Sequence, residues 1–226
     1  MSQRVVRYAR PNAELRGMIS RLLSPEQLQA LAASPDLEGV LRSLSDTPYR
    51  AGVIGLLERG ATLAAAERAV VSALVDAYRR AALLVQDSGG RLVLEMARRM
   101  ELDNLKAILR AKSRGEPPEI VRPLLVPLDG LSDLPMEELL RAEDLEAVAR
   151  DLAHTEYGRV LRGVLPRYAA ERSLFCVEIA LDLHYHRRLW SAVQGLQGLD
   201  RQVVNRIMGI RYDALNVNWI IRYRLV

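Results

Sequence analysis

The chain is short of the residues that mark several functional classes. Of its 226 residues one is cysteine, one is phenylalanine and two are tryptophan, and only Lys106 and Lys112 among its 32 basic side chains are lysines. The single cysteine, Cys176, sits in the apolar run SLFCVEIAL. It cannot close an internal disulfide, fits a reducing cytosolic setting, and reads as a small buried hydrophobe rather than a nucleophile. No run reaches the roughly 18 to 20 apolar residues of a membrane span, because Asp, Glu or Arg interrupts every candidate. The start, MSQRVVRYARPN, is basic but lacks the apolar stretch and small-residue cleavage site of a secretory signal. Blocks of like charge and interleaved aromatics are also missing, which argues against nucleic acid as the partner.

What the chain does have is apolar content, arginine and helical periodicity. Half the residues are apolar, enough to bury a core in one large or two small domains. The net charge of +4 is uneven: residues 1–112 carry 17 basic and 12 acidic side chains, residues 113–226 carry 15 and 16. Arginine in this proportion suits bidentate ion pairs at protein contacts as well as it suits phosphates. Ser24-Pro25-Glu26-Gln27 has the composition of a capping box with proline at the first helical position. Ser34-Pro35-Asp36 opens another helix, on which Leu37, Val40, Leu41 and Leu44 form one apolar stripe, and Asp46-Thr47-Pro48 ends it. A longer helix is predicted from Leu63 to Gln86, broken by Asp87-Ser88-Gly89-Gly90 before the next one. Strand-type alternation is absent, so the fold class is all-α.

The chain also repeats itself. DLEGVLRSLSDTPY (36–49) aligns without a gap on DLEAVARDLAHTEY (144–157), pairing Asp36 with Asp144, Leu44 with Leu152, Thr47 with Thr155 and Tyr49 with Tyr157. AAAERAVVSALVDAYRR and YAAERSLFCVEIALDLHYHRR follow in the same order. The third block is ELDNLKAILRAK (101–112) against YDALNVNWIIRYR (212–224). There, Glu101, Asn104, Ile108, Arg110 and Lys112 meet Asp213, Asn216, Ile220, Arg222 and Arg224. Two helical units are expected, residues 1–114 and 136–226, forming a funnel-like body and joined by a proline-rich linker at 115–135. The acid three residues before an asparagine shares its helical face, with isoleucine four residues beyond. A structural role follows for this motif: the asparagine bridges neighbouring backbone, and the terminal Arg or Lys complements the helix dipole.

These blocks carry a resemblance. DLEGVLRSLSDTPY, the pattern N-L-K-x-I-L-R-x-K at 104–112 and N-x-x-W-I-x-R at 216–222 are similar to the C subunits of the A-type and V-type ATPases or ATP synthases, the counterparts of the eukaryotic d subunit. The resemblance implies an all-helical funnel of pseudo-symmetric units. It also implies a rotor position between the D and F subunits of the central stalk and the membrane ring of proteolipids. The implied role is a socket that passes torque for ion transport, with the proton as the expected ion. It would sit peripherally on the cytoplasmic side of the cell membrane, without a span of its own. Two units are counted where the family has three, so apolar surface that a neighbour would cover is expected to be exposed.

No catalytic, cofactor or metal residue is assigned. A P-loop needs Gly-Lys-Ser/Thr after a glycine-rich turn, and neither lysine follows a glycine. Asp182, His184 and His186 suggest ligands by type, but histidines two apart on a helix point roughly 200° from one another. His154 stands alone at a helix end, and Trp190 and Trp219 read as packing residues. The reading is a non-catalytic subunit; the alternative is a stand-alone helical-repeat protein that binds RNA or another anionic polymer through the basic first half.

Overall fold

Local capping fixes where the helices begin. In the computed structural model, which describes residues 3–60, 62–85 and 87–224 and omits the side chains of residues 3–7, 222 and 223, every regular element is helical. The first five are α1 (Gln3–Ile19), α2 (Pro25–Ala32), α3 (Leu37–Ser45), α4 (Arg50–Arg59) and α5 (Leu63–Leu84). The long α6 (Asp87–Arg114) leads to α7 (Pro118–Val121), a 3-10 turn at Arg122–Leu124 and α8 (Met136–Arg141). Then come α9 (Leu145–Asp151), α10 (Glu156–Glu171), α11 (Phe175–Gln194) and α12 (Gly198–Arg224). The all-α expectation holds among the described residues.

Several of these starts follow from side chains that accept an otherwise unpaired amide. Ser24 and Gln27 form a reciprocal capping box on α2. Asp36 accepts from Gly39 N on α3 and Asp144 accepts from Ala147 N on α9, the same arrangement at aligned positions. Thr47 and Thr155 each donate a hydroxyl hydrogen bond to the carbonyl three residues back, at Leu44 and Leu152. Thr155 also caps α10 by accepting from Gly158 N.

Two junctions differ from the sequence expectation. The helix predicted to reach Gln86 ends at Leu84, with Val85 extended, and Gln86 itself lies outside the described residues. Asp87-Ser88-Gly89-Gly90 does not break the chain but forms the first turn of α6, entered through a left-handed Asp87 at φ 64°. The glycine serves close approach: a Cβ on Gly90 would stand 2.0 Å from the carbonyl oxygen of Val85. Likewise the linker is not wholly extended. Pro118 occupies the first turn of α7, where its missing N–H is no loss.

Buried side chains gather in three clusters. Leu41, Leu44, Val53 and Ala66 join α3, α4 and α5. Val75, Ala97, Met100 and Leu128 join α5, α6 and the linker. The largest cluster runs from α6 through α8, α9, α10 and α11, with Leu102, Leu105 and Leu109 of α6 completely enclosed. Burial of each such leucine contributes about 1.5–3 kcal/mol. α6 therefore lies between the earlier helices and the later ones, packed along both α5 and α11. At the far end, Tyr8 on α1 donates a 2.7 Å hydrogen bond to Asp200 at the start of α12.

Gly90→Ala is expected to lower stability by about 1–3 kcal/mol, because the added methyl meets backbone that cannot yield. Gly163→Ala on α10, where a Cβ meets nothing within 4 Å, is expected to raise it by about 0.5–1 kcal/mol through helix propensity. Urea midpoints at unchanged slope measure both.

Candidate functional site

The sequence motif on α6 becomes a ladder of contacts to other elements. Glu101 is 3% exposed and accepts a 2.8 Å hydrogen bond from the Tyr157 hydroxyl on α10. Burial, reinforced by Glu101, raises the Tyr157 pKa, so the phenol remains the donor. Asn104, also 3% exposed, spans the linker: its Nδ2 donates to Val126 O at 2.8 Å and its Oδ1 accepts from Val126 N at 2.9 Å. Ile108 lies in the large core. Arg110 forms a fork on Glu178 of α11 at 2.6 and 2.9 Å, and this hydrogen-bonded carboxylate raises its pKa. Lys112 donates its ammonium to the Leu140 carbonyl at the end of α8, and burial lowers its pKa.

A charged network beside the ladder was not singled out from the sequence. Lys106 reaches Asp182 on α11 at 2.6 Å, and Arg99 reaches the same carboxylate at 3.2 Å. Glu95 holds Arg188 of α11 at 2.6 Å, and Arg188 also binds Glu156 of α10. Burial opposes the charge on Arg188, but Glu95 and then Glu156 outweigh it and raise its pKa. For Glu156 burial again acts first, upward, and the nearby guanidinium of Arg188 reverses the sign. Glu95, Arg98 and Glu101 follow each other at three-residue spacing, which is the signal that could have shown this network.

The matching positions on α12 behave differently. Asp213, Asn216 and Arg224 are exposed, and Ile220 is 57% exposed; the Arg222 side chain lies outside the described residues. Asn216 borders a cleft of about 670 Å³ between α11 and α12, with Arg99, Asp182, His186, Tyr212 and Trp219 around it. The two histidines part company. His184 sits 3.1 Å from Glu156 and edge-on to Tyr157, while His186 packs edge-on against Tyr212. Asp182 is committed to Lys106 and Arg99, so these three residues do not converge on a metal. Among the described residues no group of three or more His, Cys, Asp or Glu is placed to hold one. Cys176 is buried and donates to the Ser173 carbonyl, His154 is exposed, and both tryptophans are 40% exposed. No described helix is long and apolar enough to cross a membrane.

These side chains fasten α6 to α8, α10, α11 and the linker. The family model described as "ATP synthase (C/AC39) subunit" matches residues 11–225. The chain belongs to that family. The C subunit of an A-type ATP synthase from Methanocaldococcus jannaschii is 28% identical over 215 residues, which is 95% of this chain and 54% of the relative. That of Pyrococcus horikoshii is 25% identical over 96% of this chain and 56% of its own. The C subunit of a V-type ATP synthase from Deinococcus radiodurans is 25% identical over 80% of this chain and 52% of its own. The C/AC39 chain here thus spans about half the length of the curated relatives it matches. No solved structure gives a significant match.

Asn104→Ala is expected to cost about 1–3 kcal/mol, since it strands the Val126 N–H and carbonyl. Asn216→Ala, on an exposed face, is expected to change stability by less than about 0.5 kcal/mol. Chemical denaturation of the two variants in parallel checks the contrast. Burial pushes both His184 and His186 below the ordinary histidine value of 6.5. A depressed folded pKa favours the neutral ring, so this stability is complete above 6.5 and is lost as pH falls through the folded values. Denaturation midpoints from pH 7.5 to 5 should fall in the parent and fall less steeply in His184→Gln/His186→Gln.

Proposed function

We propose that the chain is a non-catalytic rotor part of a V-type or A-type ATPase or ATP synthase. It would act as a socket that joins the D and F subunits of the central stalk to the membrane proteolipid ring and passes torque between them. The observation that carries this reading is the family match over residues 11–225. Its geometry suits the task. α6 has 28 residues, about 42 Å of helix, and is fastened to α10, α11 and the linker by side chains that are themselves buried. A body that transmits torque has to resist twisting, and two-point fastenings such as Asn104 on Val126 and Arg110 on Glu178 oppose sliding between helices.

In the same reading, residues 1–114 and 136–226 are successive units and 115–135 is their joint. The matched caps at Asp36 and Asp144, and the matched threonine hydroxyls at positions 47 and 155, support this division. The chain would work from the cytoplasmic side of the membrane, peripherally, with the proton as the transported ion and no nucleotide site of its own. Apolar anchors would supply the affinity of its contacts, and surface arginine would set their register.

Co-elution with a purified D–F pair on a sizing column tests the shaft contact. A complex is expected at both 50 mM and 500 mM salt. Failure at both, with circular dichroism showing a folded helical chain, overturns the assignment of that contact to these residues. A complex lost only at high salt would mark a phosphate-like electrostatic contact and overturn the apolar-anchor account.

A further inference from the structure

His184 shares a carboxylate oxygen with an arginine. Its Nε2 stands 3.1 Å from Glu156 Oε2, the same atom that Arg188 Nη1 binds. His184 and Arg188 are four residues apart on α11, so both reach Glu156, the first residue of α10, from one helical face. Arg188 also extends to α6, where its fork closes on Glu95 at 2.6 and 3.1 Å. One guanidinium thereby clasps both α6 and α10 to α11.

The imidazole stands where a proton disturbs this clasp. His184 Nε2 is enclosed and makes no hydrogen bond, because its approach to Glu156 misses the line of one. Enclosed polar atoms without a hydrogen bond are uncommon, and each calls for a reason. From α10 the ring meets Glu156 and the edge of Tyr157, whose hydroxyl is engaged by Glu101. From α6, Glu95 acts on it across Arg188, with Arg98 at 3.5 Å from Glu95 and Arg91 on the wall of the same cavity. Helix α12 meets a different part of α11, at His186 through Tyr212. Burial lowers the His184 pKa below the ordinary value of 6.5, while Glu156 and Glu95 pull it up and Arg188 pushes it down. A neutral ring leaves the Glu156 oxygen to Arg188. A protonated ring sets a second cation on that oxygen, beside a guanidinium already there, in a partly buried site where like charges are poorly screened.

There is room for the carboxylate to leave. Glu156 and Arg188 border a cavity of about 340 Å³, with Ser88, Arg91 and Ser191 on its wall. We propose that His184 makes the junction of α6, α10 and α11 an acid-released clasp. A proton on the imidazole displaces Arg188 from Glu156, Arg188 stays on Glu95, and the start of α10 loosens from α11 while α6 remains fastened. The sign follows from linkage: the proton binds the released arrangement, in which the ring is solvated, better than the clasped one, so acid favours release. The clasp lies within the second half of the body and its contact with α6, and it stands apart from the rotor assignment.

The test is an NMR titration of the imidazole Cε1–H signals of the full chain from pH 8 to 5, with His154, His184 and His186 assigned by single His→Gln variants. Amide hydrogen exchange at Val160, Leu161 and Arg162 of α10, corrected for its intrinsic pH dependence, is followed in parallel. His184 is expected to titrate below 6.5, and protection at these three amides should fall at least threefold with the same midpoint. Protection of Leu102 and Leu105 on α6 should not change. His184→Gln should abolish the step and His186→Gln should leave it. Glu156→Gln keeps the ring and removes the shared carboxylate; it should lower the His184 midpoint and abolish the step, and it decides the matter alone if His184→Gln does not fold. A His184 midpoint at or above 6.5, unchanged protection on α10, or a step that survives Glu156→Gln overturns the proposal. Loss of the helical circular dichroism signal over the same pH range overturns it in favour of cooperative acid unfolding. The shaft co-elution can fail without altering any of these outcomes.

Discussion

Among the described residues four polar side chains are buried, Glu95, Glu101, Asn104 and Lys106, and all four are on α6. Burying a carboxylate or an ammonium ion costs several kcal/mol unless a partner and further hydrogen bonds meet it there. Arg98 of the same helix stands near Glu95 and Glu101, and the closer partners come from elsewhere: Arg188 and Asp182 on α11, Tyr157 on α10 and the backbone of Val126 in the linker. Helix α6 can be enclosed only when the linker and the later helices are in their places. The arrangement of the second half of the molecule is tied to this requirement, because another packing would leave buried charge without its complement.

Such a network contributes specificity more than net stability. The stabilising part is the leucine cluster, where Leu102, Leu105 and Leu109 meet the apolar faces of the later helices. Leucine packing alone tolerates a slip of one helix along another at modest cost. A bidentate asparagine on one peptide group and a forked arginine on one carboxylate do not tolerate it. The two sets divide the work, one holding the helices together and the other fixing their register. That combination supports the role of a stiff connecting part, in which position has to survive an applied load.

Much of the fold was legible in the sequence because its signals are local. The capping box at Ser24 and Gln27, the cap at Asp36 and the stripe Leu37, Val40, Leu41 and Leu44 each depend on residues within a turn or two. The helix junction near position 86 was misplaced because glycine reads as a breaker from composition alone. At Gly90 it instead answers a steric demand set by Val85, which becomes visible only when two helices are brought together. The candidate site divides in the same way. The motif residues were visible from the repeat, but not that α6 would enclose its copy while α12 would leave Asp213, Asn216 and Ile220 exposed. Nor was the pairing of Lys106 with Asp182, 76 positions apart, open to local reading. Equal motifs do not imply equal surroundings, since burial depends on what else the chain lays over each helix.

The hydrogen bond from Tyr8 to Asp200 spans 192 positions. Synthesis delivers α1 before α12, so the partner of Tyr8 exists only after the intervening helices have been made. Domains fold as they emerge, and contacts of long sequence separation are paid for late in loop-closure entropy. Helix α1 therefore waits for every helix between it and α12 before this contact can close. The order of synthesis and the order of assembly run in opposite directions at this end of the molecule.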